Sequence, residues 1–545
     1  MQKRRDWAKA HFLQISVISL LLLFVLISAS SVLHKYLTVD ESVYIAGGYS
    51  YLKTGDFRAN IEHPVLGKII TAIPLFFLNP SLPLDRLNWA ELEKGASGNY
   101  VGSLYGFSAD FFEINSASFF QIVFSERMVV LVLSVFLAIM VFLWSKDLFG
   151  WKAGLLSLFL FVFEPNIIAH SQIATLDMML TVFVFASFYF AFAFARSGKL
   201  KFLALSALFI SAAILTKYTA LVFLPLLIMF LLLQRKEISK NRLGMFKGKS
   251  RALYFAFILA VLIIVPLLLT NLIYAFDNYG KPDVFGVIPA RMFDGYTFMQ
   301  NWVSGGREGF LLGEFRADMP EYFLMAFLIK TTIPFLVLLL AAFYFFARKP
   351  ELKIVSLLLP ALAFFLAVSF FGKFYLGLRY VLPAFPFLFV FCGILLDEKT
   401  ENSFLKGKNL TALLVLLLAF HAFSSLSIYP HYLSYFNESI GPQNAAKALS
   451  DSNLDWGQDL YYFMDFVRAN NIEKVDFIYF GWPFYGANFP EAFYGPSCEP
   501  IKGKIAISVT ILTGRDSGEH KCYEWLRKET PKAKIANTIY YYELS

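Results

Sequence analysis

Charged side chains are scarce in this sequence. Asp, Glu, Lys and Arg make up 16% of the 545 residues, whereas soluble domains carry about 25%. Hydrophobic residues make up 57% of the chain, and apolar runs long enough to cross a bilayer recur along it. This composition excludes an ordinary soluble globular protein and predicts a polytopic α-helical membrane protein.

Cysteine is also rare, with three residues in the whole chain. Cys392 lies in an apolar run, where a thiol is expected to be inert packing. Cys498 and Cys522 lie in the polar C-terminal stretch, and a disulfide between them is expected if that stretch lies outside the cell.

Several motifs of soluble enzymes are absent from the sequence. It contains no Walker loop, no GxGxxG after a strand, no HExxH and no CxxC pair, so nucleotide hydrolysis and zinc-protease chemistry have no support. The net charge of +8 does not predict nucleic-acid binding. Most clustered Lys and Arg residues lie in short loops between apolar runs, where the positive-inside bias explains them.

The apolar runs predict about eleven transmembrane helices. They cover residues 14–33, 126–146, 152–170, 173–195, 200–216, 219–234, 252–275, 322–346, 354–371, 378–396 and 409–428. Basic residues precede the first run and recur in alternate loops, which predicts a cytoplasmic N-terminus. The first run is too long for a signal peptide and is expected to stay as a helix. Ile69–Leu78, interrupted by Pro74, is too short to span and is expected to lie in the interface or to re-enter the membrane.

The same alternation divides the chain into two predicted domains. Residues 1–428 form a transmembrane core whose long loops, 34–125 and 276–321, face outward, and residues 429–545 form a small extracytoplasmic α/β domain. Strands are expected at 475–479, 504–512 and 533–542, with a helix near 456–470. Ser452 or Asn453 would cap that helix, leaving Asp455 and Asp459 in its first turn.

An adjacent acid pair, Asp40–Glu41, follows the first apolar run. Two carboxylates beside a membrane are costly to desolvate, so a functional role is the default hypothesis, and a solvated loop with an Asp helix cap is the alternative. The motif from His63 to Lys68, HPVLGK, follows in the same loop, and His63 and Lys68 are expected to bind the donor phosphate or another part of the substrate.

Other ionisable residues fall at the predicted outer ends of helices. They are Arg127, Asp177, Lys217, Arg379 and Tyr380. The topology predicts that they converge with the acid pair on one outward cavity, although Lys217 could instead snorkel to the headgroups. Such a cavity suits sugar transfer from a lipid phosphate, with a carboxylate as general base and fixed cations on the departing phosphate. Direct attack by a hydroxyl implies inversion at the sugar carbon. A second use for Asp40, Glu41, Asp177 and His63 is to hold a divalent metal, but their spacing is not diagnostic.

The ordered set of motifs resembles the family 39 glycosyltransferases. The resemblance is carried by Asp40–Glu41 after the first span, HPVLGK, Arg127, Asp177 in IATLDMML and Lys217 in LTKYTAL, and it covers residues 12–400. This family includes the protein O-mannosyltransferases and the lipid A aminoarabinose transferases, and it has the GT-C membrane fold. LRYVLPAFPF, YPHYLSYFNE and DSNLDWGQDL are similar to prokaryotic members that use phospholipid carriers, which implies a prokaryotic cell membrane.

The resemblance implies a role for each matching residue. Asp40 would be the catalytic base, Glu41 would support it or contact substrate, and Asp177 would be the second acid of the site. Arg127 would organise the acids or approach the donor phosphate, and Lys217 and Arg379 would lie near that phosphate. Val65 stands where the mannosyltransferase motif has a second proline, and the 276–321 loop is too short for that family's repeat domain. The acceptor therefore stays open between a protein, a lipid and a glycan.

Two other functions remain as alternatives. A transporter or flippase of lipid-linked sugars would place charges at the bilayer midplane and show an internal repeat in hydropathy, and the sequence shows no such repeat. A scaffold that binds partners through its C-terminal part would leave the acid pair without a purpose.

Overall fold

The computed structural model describes residues 2–97, 99–241, 250–275, 277, 283–397, 408–481, 498–515 and 519–545. Seven helices in these ranges are long and apolar enough to cross a membrane: His11–Val32, Ser116–Phe149, Leu176–Ser197, Arg251–Tyr274, Leu352–Phe371, Leu378–Leu396 and Asn409–Ser427. The polytopic helical architecture expected from the composition is therefore confirmed.

Two further predicted spans are bent helix pairs. Trp151–Val162 and Pro165–Ser171 meet at 65°, and Tyr322–Lys330 and Ile333–Arg348 meet at 115°. Each second helix begins with a proline in its first turn, a position where the missing N–H costs nothing but where the preceding helix must end. Counting each pair as one span raises the number to nine in the described ranges.

The other two predicted spans are shorter apolar helices, Leu200–Ile214 and Tyr218–Leu233. All eleven predicted segments are thus helical, but these two fall short of the 18 residues required of a full span. The reason is a break at Lys217, whose backbone is extended at φ −149° and ψ 133°. This break turns the lysine side chain into the core, where it is 4% exposed, so it does not snorkel to the surface.

The two long loops contain regular structure of their own. The first holds the helices Val39–Thr54, Leu66–Leu78, Leu87–Glu91 and Tyr100–Ile114. The second holds the helix Ala290–Ser304 and a hairpin of strands Gly309–Leu311 and Glu314–Arg316. Leu66–Leu78 has 13 residues with Pro74 inside, which is consistent with the expectation that it does not span the membrane.

A four-stranded sheet forms the C-terminal unit. Its strand order is Asp476–Ile478, Gly503–Ser508, Ile539–Leu544 and Ala533–Ile535; the first pair is parallel and the others are antiparallel. The helix Leu460–Ala469 packs on it through Phe463, whose ring lies 4.1 Å from that of Phe477. Cys498 and Cys522 form a disulfide, and Cys392 is buried and free.

Three local predictions for this unit were wrong. The second predicted strand ends at Ser508 and continues as the short helix Val509–Leu512. The third is two strands joined by a turn at Ala536 and Asn537, both of which have positive φ. The predicted helix begins at Leu460, so Ser452 and Asn453 do not cap it but form a 3-10 turn with Asp451.

Candidate active site

Four charged side chains meet at the end of the helical core that faces the C-terminal unit. Arg379 Nη1 lies 2.9 Å from Asp40 Oδ2 and 3.3 Å from Asp177 Oδ2. Lys217 Nζ lies 2.6 Å from Asp177 Oδ1. Two aspartates that are far apart in the sequence therefore share one guanidinium group, and a second cation lies directly beside them.

Local structure explains how each of these side chains reaches the site. Asp40 and Asp177 both lie in the first turn of a helix, where the dipole and the unpaired backbone N–H groups favour a carboxylate. Lys217 lies at the break between two helices, and Arg379 lies in the 3-10 turn Leu378–Ala384 that opens a span. All four therefore project from element ends, where the chain can present charge without interrupting a helix.

Aromatic rings surround the shared guanidinium. The Cζ atom of Arg379 lies 4.1 Å from the ring centre of Trp456 and 5.2 Å from that of Tyr380, and Lys217 Nζ lies 4.8 Å from the Tyr380 ring. Arg379 is buried, and its Nε has no hydrogen-bond partner among the described residues. The Asp40 side chain keeps 22% of its surface exposed. The site therefore opens to solvent beside Asp40 and keeps one unused donor inside.

Glu41, which was expected to support Asp40 or to contact substrate, lies in a different environment from Asp40. It is fully buried, and its carboxylate accepts from Arg127 Nε at 2.8 Å and Nη2 at 2.7 Å. It also accepts from the backbone N–H and the hydroxyl of Thr38 and from the backbone N–H of Ala174. Burial opposes ionisation, but Arg127 and these donors hold the pKa of Glu41 below its ordinary value. Glu41 thus anchors the start of its helix to Arg127 and Ala174, and its side chain has no exposed surface for contact with substrate.

Arg127 is committed to the same anchor. Besides Glu41 it donates to the backbone carbonyls of Lys35 and Tyr36, so its guanidinium ties the residues before Asp40 to the Phe119–Phe149 helix. The alternative expectation, that it approaches the donor phosphate, does not fit these contacts, because four of its five N–H donors are already used.

Lys68 also departs from the expected phosphate-binding role. Its ammonium group donates to the Asn60 carbonyl at 2.6 Å, the Asn60 side-chain oxygen at 3.1 Å and the His63 carbonyl at 2.7 Å. An ammonium group has three donors, so none is left for a phosphate. Lys68 instead holds the 60–63 turn in place.

His63 lies half-buried between Tyr44 and Tyr218, with ring centres 6.3 and 6.5 Å away. Burial, with the charges of Lys217 and Lys68, holds the pKa of His63 well below its ordinary value. Its imidazole is therefore neutral, and it can serve as a hydrogen-bonding group but not as a cation.

Glu62 is a candidate site residue that the sequence did not single out. It is half-buried, and burial together with the nearby charge of Asp40 raises its pKa to about 7, with Lys68 opposing the shift. A lone glutamate in a long loop normally reads as a solvated residue, and only its position directly before His63-Pro64 could have drawn attention to it. Trp456 was likewise missed, because an isolated aromatic residue gives no sign of which cation it will cover.

No group of three or more His, Cys, Asp or Glu side chains in the described ranges is arranged to hold a metal ion. Three of the four residues named for that role have other partners. Asp40 and Asp177 bind Arg379, and Glu41 binds Arg127.

An apolar groove is lined in part by Tyr218, the residue after Lys217. Its volume is about 340 Å³. It is lined mainly by aliphatic and aromatic side chains, among them Leu221, Leu224, Ile263, Leu267 and Phe293. The groove is therefore a surface suited to hydrocarbon, and one of its residues adjoins Lys217 in the sequence.

Comparison with known proteins agrees with the family resemblance of the sequence. Residues 109–270 match the family model described as dolichyl-phosphate-mannose-protein mannosyltransferase, a stretch that contains Arg127, Asp177 and Lys217. The resemblance to the protein O-mannosyltransferases is thus confirmed over that stretch. No curated protein gives a significant sequence match.

Among solved structures, the chain is similar to ArnT of Cupriavidus metallidurans bound to undecaprenyl phosphate, at 14% identity and a TM-score of 0.46, covering 76% of this chain and 71% of that one. The similarity to the oligosaccharyltransferase AglB of Archaeoglobus fulgidus has 12% identity and a TM-score of 0.44, and it covers 78% of this chain and 56% of that one. The similarity to the Pmt1–Pmt2 protein O-mannosyltransferase of S. cerevisiae has 19% identity and a TM-score of 0.35, and it covers 50% of this chain and 35% of that one. These TM-scores lie below 0.5, and they do not bear on the role of any residue.

Proposed function

We propose that the protein is an inverting membrane glycosyltransferase that moves a sugar from a polyprenyl-phosphate donor to an acceptor hydroxyl. The observation that carries this proposal is the shared guanidinium: Arg379 joins the partly exposed Asp40 to the buried Asp177–Lys217 pair. The match of residues 109–270 to mannosyltransferases that use a lipid-linked donor supports it.

Each residue of the cluster has a distinct role in this proposal. Asp40, the carboxylate open to solvent, takes the proton from the acceptor hydroxyl. Arg379 and Lys217 receive the phosphate that leaves the sugar carbon, and Asp177 holds both cations in place. Tyr380 fixes the position of Lys217 and Arg379 through its ring, and His63 hydrogen-bonds to donor or acceptor from the side of Tyr218.

Charge balance explains how the resting site can be stable before the donor arrives. Two carboxylates and two cations cancel, which limits the cost of burying them. An incoming phosphate competes with Asp40 for Arg379 and can use the unpaired Nε of that residue. Asp40 then loses its cation and becomes a stronger base at the moment when the donor is in place.

The apolar groove gives the donor lipid a place. A chain attached to a phosphate at Lys217 would pass Tyr218 and lie along Leu221, Leu224 and Leu267. The part of the lipid chain that extends beyond the groove would lie in the membrane. We place the reaction on the outer face of the membrane, on the same side as the C-terminal unit, with the N-terminus in the cytoplasm.

The direct test measures transfer from a polyprenyl-phosphate sugar by the purified protein with Asp40→Asn. We expect a 10²–10⁴-fold loss, which is the usual contribution of a general base. Asp85→Asn is the matched control, because Asp85 is an exposed carboxylate of the same long loop. Full activity in Asp40→Asn would remove the proposed base and with it this function.

A further inference from the structure

We propose that the C-terminal unit completes the donor site by positioning Arg379, with Trp456 as the residue that sets the plane of its guanidinium group. This inference rests on the proposed function. The unit is joined to the core by residues 450–459, all of which are buried, and this segment is called the bridging segment here.

The bridging segment binds the turn that carries Arg379. The side-chain oxygen of Asn453 accepts from the backbone N–H of Leu378 at 2.9 Å, and Ser452 Oγ donates to the carbonyl of Leu376 at 2.9 Å. Asn453 also donates to the hydroxyl of Tyr322 at 2.8 Å. The backbone on the N-terminal side of Arg379 is therefore fixed by side chains from the far end of the chain.

The same segment binds the turn that carries Asp40. The backbone N–H of Val39 donates to the carbonyl of Trp456 at 3.1 Å, and that of Tyr36 donates to the carbonyl of Gln458 at 2.8 Å. Lys35 forms an ion pair of 2.5 Å with Asp459. The bridging segment thus connects the turns that carry both partners of the Asp40–Arg379 ion pair.

The short helix Val509–Leu512, which follows the second strand of the C-terminal unit, holds the bridging segment from the other side. The carboxylate of Asp455 accepts from the backbone N–H groups of Thr510, at 3.1 Å, and of Gly457, at 3.2 Å. Thr510 Oγ1 donates to the Asp455 carbonyl at 2.8 Å. Gly457 has φ +86°, and a Cβ there would lie 2.9 Å from the Phe480 carbonyl, so the turn beside Trp456 requires glycine. Trp456 is consequently presented by a rigid turn and is 1% exposed.

Stacking on Trp456 decides which donors of Arg379 can meet a ligand. The centre of the indole ring lies 4.1 Å from Cζ, so the ring packs against the guanidinium, and both side chains are buried. A planar cation that is held in this way offers its N–H groups only in its own plane. Nη1 already binds both aspartates, and Nε has no partner among the described residues. The in-plane edge that remains is suited to a phosphate oxygen, so donor affinity should depend on a residue outside the transmembrane core.

The test measures binding of undecaprenyl phosphate to the full-length protein in detergent. Trp456→Phe keeps an aromatic face, and Trp456→Leu removes it. We expect the dissociation constant to rise about tenfold or more in the Leu variant and less than about threefold in the Phe variant. Trp525→Leu is the control for general damage to the C-terminal unit, because Trp525 is a half-buried residue of the helix Glu524–Arg527. The Trp525→Leu variant should bind the lipid with the affinity of the wild type. The amount of folded protein in each sample is determined by size-exclusion chromatography, and binding is expressed per folded molecule.

A double-mutant cycle separates positioning from packing. In the Arg379→Lys background the ammonium group has no planar face to stack, so Trp456→Leu should change the affinity much less than it does with Arg379 present. An equal effect in both backgrounds, or a Phe variant as weak as the Leu variant, would overturn the positioning role. Unchanged binding by a folded Trp456→Leu protein would overturn it too, while leaving the proposed function intact. Failure of the wild type to bind the lipid phosphate would overturn the proposed function and this inference together.

Discussion

Asp40 and Glu41 are neighbours in the sequence, yet their substitution should have opposite consequences. Successive helical residues point about 100° apart. Asp40 therefore faces the open site, whereas Glu41 faces Arg127 and the buried side of the helix. We expect Glu41→Gln to destabilise the fold and Asp40→Asn to stop the reaction.

The structure sets the size of the effect at Glu41. Its carboxylate accepts five hydrogen bonds, two of them from a guanidinium that is itself buried. A glutamine can accept at one oxygen only, and it leaves the charge of Arg127 without compensation. Breaking a buried ion pair from one side costs about 3–5 kcal/mol. At Asp40, which is partly exposed and whose partner Arg379 keeps Asp177 as a second counter-ion, the loss of stability should be smaller than at Glu41.

Unfolding by SDS in mixed micelles, followed by tryptophan fluorescence, measures both free energies on the same purified material. The double variant Glu41→Gln with Arg127→Met removes both charges and should recover part of the lost stability, because no uncompensated charge is left. Activity per folded molecule should fall far less in Glu41→Gln than in Asp40→Asn. A stable, fully folded Glu41→Gln protein that is blocked in the transfer step would refute the distinction between anchor and base.

Three further predictions concern the surroundings of the site. Glu62 has its pKa raised to about 7, so it is largely neutral below that pH and ionised above it. The KM for donor should therefore rise above about pH 7, because the new charge repels the phosphate, whereas Glu62→Gln should keep the KM low and flat between about pH 6 and about pH 8. If the variant kept the pH dependence of the wild type, that dependence would belong to another group. Leu267→Trp should fill the apolar groove and raise the KM for long-chain donors. Leu268→Trp, at a neighbouring position of the same helix that is 63% exposed, should behave as the wild type. Equal kinetics in the two variants would argue against the groove as the binding place of the lipid chain. Lys68→Met should lower the free energy of unfolding by about 1–3 kcal/mol, because the carbonyls of Asn60 and His63 lose their donor. A loss of affinity for the lipid phosphate at unchanged stability would contradict the structural role of Lys68.

The sequence by itself determined the kind of protein. Apolar runs of about twenty residues can satisfy the hydrogen bonds of their backbone N–H and C=O groups in a membrane only as helices. The positions of the spans therefore followed from composition. Alternating runs after residue 470 likewise indicated strands, although the turn at Ala536–Asn537 escaped notice because its local pattern continues the strand. The charged residues at helix ends were also visible, since charges at such places rarely serve packing.

Only the tertiary structure decided what those charges do. Glu41 and its partner Arg127 are 86 residues apart, and Asp40 and Arg379 are 339 apart. Trp456 likewise covers Arg379 from a distant part of the chain, whereas the donors of Lys68 are used by carbonyls of its own loop. A carboxylate is an anchor or a base according to which groups surround it and whether water reaches it. Those surroundings are assembled by contacts between remote parts of the chain, which no local pattern of residues encodes.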